Sequence, residues 1–303
     1  MTFAIETRGF TKSFGDVLSV DSLDLKVPQG EIYGFLGLNG AGKTTTIRAL
    51  LGMIIPTAGE VSVLGQRIVS DKVGPWDRVG HLVETAAAYP DLTVRENLDI
   101  ARRLQGLDDR TRVDQVIEQL HLENYAERKA GVLSLGNFQR LGLARTLLHQ
   151  PEVLLLDEPA NGLDPAGVVE IRQLLERLAE DEGVTIFMSS HILTEVDRLA
   201  TRIGIIHDGR LIEELDAGQL AALRRRRLAV RTRDPERALQ LLQSAGHTVS
   251  REEDTLYLDG EVETAQPERI NSYLVKNGQP PVHLALEQED LEHHFLHLTG
   301  GEK

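Results

Sequence analysis

Gly37-Leu38-Asn39-Gly40-Ala41-Gly42-Lys43-Thr44 matches the pattern GxxxxGK[ST] and lies between two stretches of different periodicity. Upstream, Glu31-Ile32-Tyr33-Gly34-Phe35-Leu36 reads as a buried strand running into a glycine-rich turn. Downstream, Thr44 to Met53 reads as a helix that stops before Pro56. Glycines let the backbone wrap tightly enough for successive N–H groups to point at phosphate oxygens. The helix start adds its positive end to the same place. Residues Gly37, Leu38, Asn39, Gly40, Ala41, Gly42 and Thr45 then line the turn. Lys43 is expected to reach the β- and γ-phosphates, and the Thr44 hydroxyl to ligate Mg²⁺. The junction predicts a nucleoside triphosphate site.

A second stretch supplies the acids such a site needs. Pro151 precedes Val153-Leu154-Leu155-Leu156, a short apolar strand of the kind parallel sheets use, and the strand ends in Asp157-Glu158-Pro159. A carboxylate at a strand end reaches the sheet edge beside the phosphate loop, so Asp157 is expected to hold Mg²⁺. Glu158 follows directly, placed to polarise the water that attacks the γ-phosphate. Asp164 and Pro165 read as the cap and first turn of a helix whose apolar face carries Ile171, Leu174, Leu175 and Leu178. Val184 to Met188 and Ile203 to Ile206 read as further strands. Strand and helix patterns alternate up to about residue 210, which predicts a layered α/β domain.

The middle of the chain has another character. No strand pattern is found between Thr93 and Gln150. Thr93-Val94-Arg95-Glu96 is a capping box opening a helix that ends near Gly106. Val113, Val116, Ile117 and Leu120 mark a second amphipathic helix, and Leu133 to Leu148 a third. The sequence therefore predicts a helical subdomain over about 84–150 inside a nucleotide-binding domain of residues 1–220. Past residue 220 short apolar segments are punctuated by Asp234-Pro235 and Gly278-Gln279-Pro280-Pro281, which predicts a small α+β accessory domain over 221–303. The basic run Arg224 to Arg227 reads as a solvated linker, with contact to anionic lipid headgroups as the sharper alternative.

Composition narrows the class. The chain has 303 residues, with 33 Lys plus Arg against 47 Asp plus Glu and a formal charge of −14. That balance disfavours a nucleic-acid binder. It contains no cysteine, which excludes disulfides and thiolate metal sites and makes a reducing cytosol the simplest home. No apolar run reaches the roughly 18 residues needed to span a bilayer. The start, MTFAIETRGF, lacks the order of a signal peptide. His293 and His297 are four apart, a spacing a divalent metal can use, but no third ligand follows at recognisable spacing. With His294 they read as exposed residues of a terminal helix.

A third motif separates families. Leu133-Ser134-Leu135-Gly136-Asn137-Phe138-Gln139-Arg140 resembles the signature motif of ABC (ATP-binding cassette) ATPases, whose consensus is LSGGQ. Leu135 stands in place of one glycine and Asn137 in place of the glutamine. The resemblance covers about the first 215 residues. It implies a P-loop NTPase core of the ABC type that uses ATP and Mg²⁺, and a γ-phosphate contact made in trans by Ser134, Leu135, Gly136 and Asn137. It also implies a D-loop at Asn161, Leu163 and Asp164, a γ-phosphate-sensing switch histidine at His191, and an adenine-stacking aromatic at Phe14, with Phe10 as its neighbour. Glu84 stands where the family's Q-loop has glutamine. A carboxylate there could contact Mg²⁺ but, ionised, cannot donate a hydrogen bond.

The same resemblance implies a homodimer with ATP sandwiched between the subunits, driving a separate membrane permease from the inner, cytoplasmic face of the cell membrane. The phrase from Asp157 to Gly167, the acidic Q-loop and the closing LEHHFLHLTGG are similar to the bacitracin and lantibiotic exporter branch. An ATPase that powers export of, or resistance to, a peptide antibiotic or drug is thus expected. A subunit for sodium or other small-molecule efflux and a soluble non-transport ABC ATPase are the alternatives. A soluble DNA-repair type would place a long coiled coil between the phosphate loop and the signature, and a ribosome-acting type would carry two cassettes. If the Q-loop carboxylate acts as the glutamine does, Glu84→Gln retains or raises ATP turnover in a steady-state assay. Complete loss of turnover would assign the carboxylate a role of its own.

Overall fold

The computed structural model describes residues 3–69, 73–83, 87–223, 226–258, 260, 264–288, 295 and 298. The chain divides into two compact units, Met1–Asp216 and Ala217–Lys303. The first begins with β1 (Phe3–Phe14) and β2 (Val17–Pro28) and continues through β3 (Ile32–Leu36), α1 (Lys43–Leu50), β4 (Ala58–Val63), β5 (Gln66–Arg67) and β6 (Val79–Leu82). Helices α2 (Val94–Leu104), α3 (Thr111–Gln119) and α4 (Leu135–Leu147) follow. The unit closes with β7 (Val153–Asp157), α5 (Pro165–Glu180), β8 (Thr185–Ser190), α6 (Leu193–Leu199), β9 (Arg202–His207) and β10 (Arg210–Leu215).

Two sheets form in this unit. The first is antiparallel, in the order β2-β1-β4-β5. Its logic is visible in β2, where Leu23, Leu25 and Val27 are buried and Asp24 and Lys26 face water, the period of a one-sided strand. The second sheet has the order β10-β9-β3-β8-β7-β6, parallel except for β10. Its central strands β3, β7 and β8 are buried along their whole length, as continuous apolar runs require. The core between the sheets joins Ile5 and Phe10 of β1, Ile47 of α1, and Tyr33, Phe35 and Phe187. The Phe187 ring lies 5.4 Å from Tyr33 and 5.3 Å from Phe35. Aromatic contacts of this kind contribute about 0.5–1.5 kcal/mol each beyond burial.

The helical segment carries no strand among its described residues beyond an isolated bridge from Thr93 to Lys129. Both hydrogen bonds of the Thr93–Glu96 capping box form. The second unit contains α7 (Ala217–Leu223), β11 (Arg226–Arg231), α8 (Pro235–Ser244), β12 (Val249–Glu252), β13 (Thr255–Leu258), α9 (Pro267–Lys276) and β14 (His283–Gln288). Its antiparallel sheet runs β12-β13-β11-β14, the split β-α-β-β-α-β arrangement. Leu228, Val230, Leu256 and Leu258 pack there with Leu242, Ile270 and Leu274. The arginine run is therefore not simply a linker, because Arg226 and Arg227 open β11, while Arg224 and Arg225 lie outside the described residues. His293, His294 and His297 also lie outside them. Among the described residues no helix is long and apolar enough to cross a membrane.

A cleft of about 560 Å³ opens where β6 meets α2 and α4. Its lining is mainly apolar, including Leu51, Met53, Trp76, Leu82 and Leu104, with His81, Arg145 and His149 as polar members. Met53 and Leu104 are exposed. Gln105 Nε2 lies 3.1 Å from His149 Nδ1. Burial holds the His149 imidazole below the ordinary histidine range, and the positive charge of Arg112 pushes the same way. The unfolded chain therefore binds a proton at this position at a higher pH than the native one does. Stability from this group is complete above about 6.5, the ordinary histidine value, and is lost as pH falls toward the depressed native value. His149→Gln is expected to flatten the decline in urea midpoint between about pH 6.5 and 5.5. An unchanged slope would show that the imidazole is not held neutral by the fold.

Candidate functional site

The parallel register sets the site. Leu36, the last residue of β3, pairs with Ser190, and Asp157, the last of β7, pairs with Ser189. The phosphate loop, the acidic strand end and the segment entering His191 therefore leave the sheet along one edge, the usual place for ligands in open α/β sheets.

The loop from Gly37 to Gly42 needs glycine at its ends. Gly42 has φ +107, and a Cβ there would lie 2.7 Å from Ser19 O. A Cβ on Gly37 would lie 2.6 Å from Ile206 O. The turn is closed by Ala41 N–H donating to Leu38 O at 3.1 Å, and Gly209 N–H donates to Ala41 O at 3.1 Å. Lys43 is 6% exposed, and its Nζ donates to Gly37 O at 2.6 Å and Leu38 O at 3.3 Å. It also faces Glu158 Oε1 at 3.7 Å. Burial draws the ammonium below the ordinary lysine range, and the charges of Glu158 and Asp157 oppose that shift.

Asp157 is 3% exposed and held from both sides. Thr44 Oγ1 donates to its Oδ2 at 2.7 Å and Ser189 Oγ to its Oδ1 at 2.5 Å. Glu158 takes φ +51, a left-handed turn that costs a non-glycine residue about 1–2 kcal/mol. The strained turn is secured by Glu158 N–H, which donates to Ser189 Oγ at 3.1 Å and Ser189 O at 3.3 Å. It aims the carboxylate back across the loop, where Oε2 meets His191 Nδ1 at 2.8 Å. A cavity of about 240 Å³ is lined by Leu38, Asn39, Gly40, Gly42, Lys43, Thr44, Thr45, Glu158 and Ser19.

Other residues singled out from the sequence lie elsewhere. Ser134 caps α4, accepting from Asn137 N–H at 3.3 Å, and none of Ser134, Leu135, Gly136 and Asn137 lines that cavity. Leu135 and Gly136 lie instead against Gly162 and Leu163, in the turn after Glu158. Asn161 N–H donates to Glu158 O at 3.0 Å, Leu163 N–H to Ala160 O at 3.2 Å, and Asp164 caps α5 through Gly167 N–H at 3.0 Å. Phe14 ends β1 at 49% exposure with Lys12 Nζ 4.9 Å from its ring centre, whereas Phe10 is fully buried core. Glu84 lies outside the described residues.

The roles of two residues escaped the sequence reading. Ser189 enters the sequence reading only through the resemblance, as the start of the switch segment Ser189-Ser190-His191, yet it holds both Asp157 and the Glu158 backbone. Ser19, whose Oγ lies 2.9 Å from Thr45 Oγ1, carries no motif and enters the site through β2. Among the described residues no group of three or more His, Asp or Glu side chains could hold a metal by itself. The Thr44 hydroxyl and the Asp157 carboxylate do form an oxygen pair beside the phosphate loop. Two carboxylates there face one ammonium, a balance that suits a hard divalent cation brought with phosphate.

A family model described as "ABC transporter" matches residues 20–161. Over 99% of both chains the sequence is 41% identical to the bacitracin transport ATP-binding protein BcrA of Bacillus licheniformis. It is 36% identical to the daunorubicin resistance ATP-binding protein DrrA3 of Streptomyces coeruleorubidus, over 99% of this chain and 97% of that one. A solved dimer of the ATP-binding cassette MJ0796 with ADP and Pi superposes with a TM-score of 0.65 at 25% identity, covering 70% of this chain and 98% of the other. The phosphate loop, the acidic strand end and the full-length likeness make the chain a member of the ABC transporter family, an ATP-binding subunit that hydrolyses ATP to power transport.

Proposed function

We propose that two copies of this chain close head to tail over two ATP molecules and drive a separate permease that exports a peptide antibiotic or drug. The observation that carries this reading is a site half complete in one chain. Lys43, Thr44, Asp157, Glu158 and His191 converge, while Ser134 and its helix start take no part in lining the cavity beside them. A serine and free N–H groups at a helix N-terminus suit a phosphate, so the second half of each site comes from the partner copy. The dimeric state of the MJ0796 cassette and the names of the bacitracin and daunorubicin relatives support the assembly and the cargo class.

The loop N–H groups take the phosphate oxygens, and Phe14 offers its exposed ring to the adenine. Thr44 and Asp157 would hold Mg²⁺, which would neutralise phosphate charge when bound. Lys43 and His191 both face the Glu158 carboxylate. A triphosphate on the loop competes for Lys43, so that one Glu158 oxygen can orient the attacking water and accept its proton. His191 keeps the carboxylate aimed and lies within reach of the γ-phosphate. Preorganised groups of this kind lower the barrier mainly through position and charge.

The cleft beside α4 is the surface we assign to the permease, with the chain peripheral at the inner face of the membrane. It is apolar at its rim, and Arg145 is half-buried within it, making no hydrogen bond or ion pair among the described residues. An unpaired guanidinium in an apolar cleft favours a partner segment that brings a carboxylate.

Glu158→Gln is expected to bind ATP with Mg²⁺ and persist as a dimer by light scattering, with turnover reduced by about 10²–10⁴-fold. A variant that stays monomeric with ATP would remove the sandwich. Arg145→Glu is expected to cut co-purification of the permease by on the order of tenfold, while the isolated subunit still hydrolyses ATP. Undiminished co-purification would place the docking surface elsewhere.

A further inference from the structure

Leu135 stands where the signature consensus has glycine; it is 65% exposed, but one side of its branch meets Gly162. A Cβ added to Gly162 would lie 2.5 Å from Leu135 Cδ2 and 2.6 Å from Cγ, so the leucine rests on the bare Cα of that glycine. The next residue makes a matching contact: a Cβ on Gly136 would lie 3.4 Å from Leu163 Cδ2. Further along α4, buried Gln139 Nε2 donates to Pro159 O at 3.2 Å, and Arg140 Nη2 meets Glu170 Oε2 at 2.7 Å. The first turns of α4 thus grip the segment that runs from Pro159 into α5. That segment is fixed to Glu158, because Asn161 N–H donates to Glu158 O at 3.0 Å.

We infer that Leu135, seated on Gly162, is a positioning residue that couples the two ATP sites, transmitting displacement of the Ser134 helix start to Glu158 of the same chain. The inference rests on the sandwich reading, in which each Ser134 touches the partner's nucleotide. Nucleotide held by the partner then settles α4, α4 settles the turn from Glu158 to Asp164, and Glu158 becomes aimed at the nucleotide on its own phosphate loop. A glycine at position 135 would leave this contact empty. The chain keeps Gly162 at φ +78, where a glycine is easily accommodated and the leucine has room.

Gly162 is left in place, because at φ +78 any side chain would be strained whatever the space around it. The test measures ATP turnover against ATP concentration for the full chain, Leu135→Ala and Leu135→Met. For two sites the Hill coefficient is bounded by about 2 when coupled and 1 when independent. Leu135→Ala, which loses the branch that reaches Gly162, is expected to bring it toward 1, and Leu135→Met, which keeps an apolar side chain long enough to reach that glycine, to hold the wild-type value. A leucine that merely packs lowers turnover without moving the coefficient. An unchanged coefficient in Leu135→Ala overturns the proposal, as does a Leu135→Met coefficient no better than that of Leu135→Ala. Each variant is also made in the Glu158→Gln background and sized with ATP. Dimers in all of them leave the sandwich intact when the coupling fails, and absence of the dimer in Glu158→Gln itself overturns both.

Discussion

The Asp157 carboxylate, buried between the hydroxyls of Thr44 and Ser189, is the constraint on which the site depends. A buried charge without partners costs several kcal/mol, so its two hydrogen bonds are a condition of the fold as well as of the site. They join three separate pieces of chain: the helix after the phosphate loop, the end of β7 and the end of β8. The parallel pairing of Asp157 with Ser189 makes this possible. A slip of one residue would turn Asp157 to the other face and leave Thr44 alone. The left-handed turn at Glu158 follows from the same junction, since Ser189 secures its N–H while the next step of chain swings the carboxylate over Lys43.

The rest of the first unit holds that edge rigid. Strands β3, β7 and β8 are buried on both faces, and Phe187 packs between Tyr33 and Phe35 in the core shared with the antiparallel sheet. Helix α4 has a different task. Its body packs into the helical segment, its first turn carries Ser134, and its side chains grip the turn beyond Glu158. One helix thereby links a surface offered to a second copy with the acid of its own site.

The chemistry was legible in sequence because it is encoded in short contiguous patterns. A glycine-rich turn between strand and helix and an apolar run ending in two acids are each diagnostic over eight or so residues. The Thr93 capping box and the Asp164-Pro165 helix start were likewise local and appeared where the residues put them. The roles of Ser19 and Ser189 were not legible, because they arise from contacts between segments far apart in sequence, β2 with α1 and β7 with β8. The antiparallel sheet is written only in the one-sided alternation Leu23-Asp24-Leu25-Lys26-Val27, a weaker signal than the continuous apolar runs of strands buried on both faces. Arg226 and Arg227 misled for the opposite reason: a charge cluster reads as solvated linker, yet Arg227 lies over the Tyr257 ring at 4.2 Å and pairs with Glu252 at 3.2 Å on the sheet of the second unit.

The most direct measurement uses the absence of cysteine from the sequence. One tagged chain carries Asn39→Cys in the phosphate loop, an untagged chain carries Val132→Cys two residues before Ser134, and both carry Glu158→Gln. The mixture is treated with a short bis-maleimide with and without ATP and Mg²⁺. A covalent heterodimer that forms only with ATP is the predicted result, because nucleotide brings one copy's loop against the other's signature helix. No ATP-dependent product from a mixture in which both cysteines react with a monofunctional maleimide would contradict the shared site.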